Sequence, residues 1–79
     1  MPHFFFDIND GEHVTRDDVG LDYPNAEMAK DQAVSTLPDV ARDVMPDGAK
    51  RDFIVTMRND SGTPIFRASL SLRTEWLKA

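Results

Sequence analysis

The chain has no cysteine. That excludes a disulfide framework, thiolate chemistry and any metal site built on sulfur ligands. Only two histidines, His3 and His13, are available as bases or metal ligands. The four glycines, Gly11, Gly20, Gly48 and Gly62, each stand alone at a turn signal, so there is no glycine-rich phosphate loop. No apolar run approaches the roughly 18 residues of a membrane span, and no membrane partner is expected. The opening MPHFFFDINDGE lacks a basic stretch and sets an aspartate straight after three phenylalanines. A secretory signal is therefore not expected, and the cytoplasm is the expected compartment.

Bases are nearly missing from the first third. Residues 1–24 hold six acids against Arg16, a net −5, while the remaining residues balance eight acids with eight bases. Such a face repels phosphate backbones, so no nucleic-acid partner is expected. The plain reading is a solvated edge with Arg16 as its only local counter-charge. On that reading, neutralising Asp17 and Asp18 changes stability little. The sharper reading makes Asp10, Glu12, Asp17 and Asp18 an acidic docking surface for a basic partner.

What is present is architecture. Seventy-nine residues form one small domain, residues 1–79, near the lower size limit for an unstapled core. The stretch Asn25–Met45 places Ala26, Ala29, Ala33, Leu37, Val40, Ala41 and Val44 on one side of a 3.6-residue helix. Asn25 is a suitable N-cap. Pro38 interrupts the pattern, so either one helix kinks there or a second restarts at Ser35 or Thr36. The apolar stripe continues in phase, which favours one kinked helix. Met45-Pro46-Asp47-Gly48 is expected to end it.

Both flanks alternate with period two. His3–Ile8 reads as a strand, Asp10-Gly11 as a two-residue hairpin loop, and His13–Arg16 as a short return that sets His13 opposite Ile8. Leu21 and Tyr23 suggest a short extended piece before Pro24. Phe53–Arg58 and Thr63–Leu72 read as a second hairpin about the turn Asn59–Gly62. Glu75-Trp76-Leu77 is too short to assign. The expectation is an α+β fold, ββαββ: a four-stranded antiparallel sheet, order 2-1-3-4, with the helix on one face. The other face then carries Phe5, Ile54, Ile65 and Arg67 with nothing left in the chain to cover them.

The opening Met1-Pro2 with Phe4-Phe5-Phe6-Asp7, then Asp10-Gly11, then Asp17-Asp18-Val19-Gly20-Leu21 and an alanine-rich helix, resembles a family of small bacterial proteins. Its members typically open M-P-x-Y-F-F-D, with D-G and D-x-x-G turns. The chain departs at Phe4, where the family favours tyrosine, at Pro38, and in the shorter late turn Asp60-Ser61-Gly62. The family is one of unknown function, so the resemblance implies a free-standing bacterial domain and carries over no catalytic residue.

Candidate chemistry is thin. Asp7-Ile8-Asn9-Asp10-Gly11 resembles a calcium loop, but glycine falls at position 5 rather than 6 and position 12 is an aspartate. His3 and His13 lie too far apart along the hairpin to share a metal. Ser61, Ser69 and Ser71 have no nucleophile context, and Asp17-Asp18 would point to opposite faces. No catalytic, cofactor or metal residues are assigned. The expectation is a non-catalytic interaction module that self-associates through Phe5, Ile54, Ile65 and Arg67 or through a strand edge. The alternatives are a small-molecule or regulatory domain with a pocket between helix and sheet lined by His13, Arg16 or Tyr23, and the acidic docking surface.

Overall fold

The computed structural model describes residues 1–44 and 50–78. The elements run β1 (His3–Asn9), β2 (Val14–Thr15), β3 (Leu21–Asp22), α1 (Ala26–Val44), β4 (Lys50–Arg58) and β5 (Pro64–Arg73). The class is α+β, with one helix and an antiparallel sheet. The sheet has five strands rather than four. Its order is β2-β1-β4-β5, with β3 also paired to β1; the expected four-strand order 2-1-3-4 lacks this fifth strand. The expectation set Leu21 and Tyr23 in a short extended piece before Pro24 and gave that piece no place in the sheet. Leu21 and Asp22 in fact form a two-residue strand paired with Phe4 and His3.

The first hairpin also turns one residue later than expected. The loop is Gly11-Glu12, closed by the Asp10 N–H on the His13 carbonyl at 3.0 Å. Thr15, not His13, then stands opposite Ile8. The reason lies in two short acceptors. The Asn9 side chain takes the Gly11 N–H, and the Asp10 carboxylate takes those of Glu12 and His13. Gly11 supplies the left-handed φ of 98° that such a corner needs.

Helix α1 is one run from Ala26 to Val44 with Pro38 inside it. It neither breaks nor restarts at Ser35 or Thr36, whose hydroxyls both donate to the Gln32 carbonyl. Asn25 caps it by accepting the Met28 N–H at 2.9 Å. The expected stop at Met45–Gly48 lies outside the described residues. Ala29, Ala33, Leu37 and Ala41 are buried against Phe53, Val55 and Met57 of β4. Small residues on the helix let it sit close to the sheet. Phe4, Phe6, Ile8, Phe66 and Ala68 complete this layer. Tyr23 closes one end, its ring 6.4 Å from Phe4 and 6.2 Å from Phe6. Among the described residues, no helix is long and apolar enough to cross a membrane.

Candidate functional site

The face of the sheet away from α1 holds the densest polar arrangement. Residues 16–20 leave the sheet between β2 and β3, opposite the middle of β1. Backbone groups there need replacement partners, because a half-buried N–H without one is costly. Asp17 supplies them. Its carboxylate accepts the N–H groups of Phe6, Val19 and Gly20, each at 3.0 Å. Its own N–H donates to Asp7 Oδ1 at 2.9 Å.

Asp7 in turn faces Arg58 of β4. The guanidinium grips the carboxylate with two donors, Nε at 2.7 Å and Nη2 at 3.0 Å. Nη2 also donates to the Asp17 carbonyl at 2.8 Å. The cation stands 4.9 Å from the centroid of the Phe5 ring. Arg58 is buried and Asp7 is largely so. A buried charge pair persists only with good geometry and further hydrogen bonds, and both are present.

The charges respond accordingly. The Arg58 guanidinium holds Asp7 below the usual carboxylate range, helped by the Asp17 N–H and opposed by burial. Burial pushes Asp17 up, but the N–H groups of Gly20, Phe6 and Val19 outweigh it and leave the group lowered. Asp7 keeps Arg58 firmly protonated. Three carboxylate contacts to N–H donors are thus made by each aspartate, which leaves little room for a metal.

This corrects the picture of the N-terminal third as a solvated edge. Arg16 pairs with Asp18 at 3.8 Å, and both side chains are exposed. The real counter-charges come from β4. Arg51 is buried, donates to the Asp10 carbonyl, and stands 3.6 Å from the Asp10 carboxylate and 4.0 Å from Glu12. Of the four candidate docking acids, Asp10 and Asp17 are engaged internally. Glu12 and Asp18 remain exposed.

The expected apolar patch is also rearranged. Phe5 is half-buried beneath Arg58 and meets the His3 ring edge-on at 5.0 Å. Ile54 is half-buried, four ladder positions away opposite Asn9. Ile65 is exposed at the register irregularity near Met57 and Arg58. Between them lies an open concavity of about 360 Å³, lined by Asp7, Ile8, Asn9, Val14, Ile54, Thr56 and Arg67. His13, Arg16 and Tyr23 are not part of it. His13 is exposed, and Tyr23 packs on the core.

The network ties the two turn signals of the opening segment to a strand 40 residues away in sequence. A model of one family, described as a domain of unknown function (DUF6894), matches residues 3–71. The chain belongs to this family. The matched span contains Asp7, Asp17, Gly20 and Arg58 and leaves out the exposed Trp76 and Leu77. No curated protein and no solved structure gives a significant match to the chain.

Sequence reasoning missed Arg58, Arg51 and the pairing of His3 with Asp22. One signal was available. Arg58 closes the apolar strand Phe53–Met57 and shares a face with Ile54 and Thr56, where a charge on a sheet face calls for a partner.

Proposed function

We propose that this member of the family is a non-catalytic interaction module that pairs with a second copy of itself along β5. The observation that carries the reading is the pattern of β5 itself. It is a ten-residue strand at the end of the sheet order, and among the described residues no strand lies on its outer side. Edges that stay unpaired are usually short or heavily charged. The opposite edge fits that rule, since β2 and β3 have two residues each. β5 does not.

Antiparallel self-pairing centred on Ser69 sets Phe66 opposite the partner's Leu72 and Ala68 opposite the partner's Leu70. Arg67 then faces the partner's Ser71, so no like charges meet, and each face keeps its own character. Leu70, 38 % exposed although it points to the helix side, gains cover. The contact is two-fold and closes on itself, as most homodimers do. The edge is preferred over the Phe5 face because Arg58 and His3 already cover Phe5.

The absence of catalysis is part of the proposal. Asp7 and Asp17 are lowered, away from the neutral range that a general acid or base needs at neutral pH. The test is gel filtration with light scattering at tens of micromolar. A dimer in the native chain and a folded monomer for Leu70→Glu support the reading. A monomer at every concentration overturns it.

A small-molecule reading has the concavity in its favour, since its volume lies in the range of about 300–1,000 Å³ typical of ligand pockets. A thermal-shift screen against metabolites separates the two. A ligand raises the melting point at fixed protein concentration, whereas self-association raises it with protein concentration.

A further inference from the structure

We propose that His3 is a proton-operated clasp, which fastens β3 and the 16–20 loop to the edge of β1 when charged and releases them when neutral. Both ring nitrogens are committed. Nδ1 lies 2.6 Å from the Asp22 carboxylate of β3, and Nε2 lies 2.7 Å from the Val19 carbonyl of the loop. A carbonyl can only accept, and an ionised carboxylate can only accept. Neutral imidazole has one N–H, so only the imidazolium satisfies both partners at once. The side chain is 35 % exposed, which gives its proton access to water.

The surroundings agree. Asp22 faces the ring from β3, and Asp60 acts on it from the turn before β5. Phe5 flanks it on β1, and the cation across that ring, Arg58, is tied to Asp7. The hydrogen bond to Asp22 and then that to Val19 raise the histidine above its ordinary value of 6.5, against desolvation. Gly20 presses its backbone on the same ring. A Cβ there would stand 2.5 Å from Nε2, so the loop and the imidazole are fitted to each other.

The sign follows from linkage. A raised folded value means the clasp contributes fully below the unfolded value and is lost as pH rises through the folded one. The window therefore opens at the ordinary histidine value and extends above it. Release frees the pairing of His3 and Phe4 with Asp22 and Leu21, and the Tyr23 N–H on the Pro2 carbonyl. That bares this edge of β1.

The test is an NMR titration of the full chain. His3 is expected to titrate above the ordinary histidine value of 6.5, with the amides of Val19, Gly20, Asp22 and Tyr23 shifting at the His3 midpoint. Backbone order of residues 18–23 is expected to fall above that midpoint. Asp22→Asn leaves β1 untouched and is expected to lower the His3 midpoint. His3→Gln is expected to abolish the pH dependence of the loop. A His3 midpoint at or below 6.5, or loop amides that ignore it, overturns the proposal.

Discussion

Replacing Asp17 by alanine removes one carboxylate and strands three backbone donors. The Phe6 N–H lies on β1 and is half-buried, so leaving it without an acceptor costs about 1–3 kcal/mol. The Val19 and Gly20 donors belong to a loop and can turn partly to water, so their loss resembles that of a helix cap, about 0.5–2 kcal/mol. The sum for Asp17→Ala is about 2–4 kcal/mol, allowing for overlap. A domain of this length holds on the order of 4–12 kcal/mol in all, so the loss is a large part of the total. Asp17→Asn keeps one oxygen but turns an N–H₂ toward one of the donors, and about 1–2 kcal/mol is expected. Asp18→Asn serves as the control. Its side chain is 84 % exposed, and a change within about 0.5 kcal/mol is expected. Urea unfolding followed by circular dichroism reads all three, with the transition slope held constant as the sign of unchanged two-state behaviour. Asp17 variants as mild as Asp18→Asn would refute the reasoning and restore the solvated edge.

Other expectations follow from the same geometry. Gly20→Ala should destabilise more than Gly62→Ala, because both have positive φ but a Cβ at Gly20 also crowds His3 and the Phe4 carbonyl, whereas at Gly62 it meets only the Arg58 guanidinium at an ordinary 4.0 Å; about 1–3 kcal/mol against about 1 is expected by chemical denaturation. Phe53→Ala empties the centre of the core, and about 3–5 kcal/mol is expected, enough to leave little folded protein at 37 °C. Because Asp7 and Asp17 are lowered in the fold, their stabilisation is present above the ordinary carboxylate value near 3.9 and is lost as pH falls through the folded values. Melting temperature should accordingly hold into mildly acidic buffer and drop at lower pH, and the drop should be smaller in Asp17→Asn.

Local signals carried much of the fold. The 3.6-residue stripe of Ala29, Ala33, Leu37 and Ala41 located the helix and its buried side. Asn25 marked its start. Alternation at Phe4, Phe6 and Ile8 and at Phe53, Val55 and Met57 marked the helix-facing side of β1 and β4. What the sequence concealed depends on register. Whether the hairpin turns at Asp10-Gly11 or Gly11-Glu12 is a matter of which short side chains capture free N–H groups, and both fit the pattern. Asp17 looked like a surface acid because its donors lie at Phe6 and Gly20. Arg58 looked like the charged end of a strand until its register partner Phe5 and its neighbour Asp7 were known. Contacts between residues 40 or 50 positions apart leave no periodic trace in a single sequence.

The pairing along β5 is tested most directly by mixing isotopically labelled and unlabelled chains and recording intermolecular contacts by NMR. The account predicts contacts between Phe66 of one copy and the partner's Leu72, and between Ala68 and the partner's Leu70, all lost in Leu70→Glu. A chain that stays monomeric at NMR concentration, or a dimer whose contacts run through Phe5 and Ile54, would contradict it.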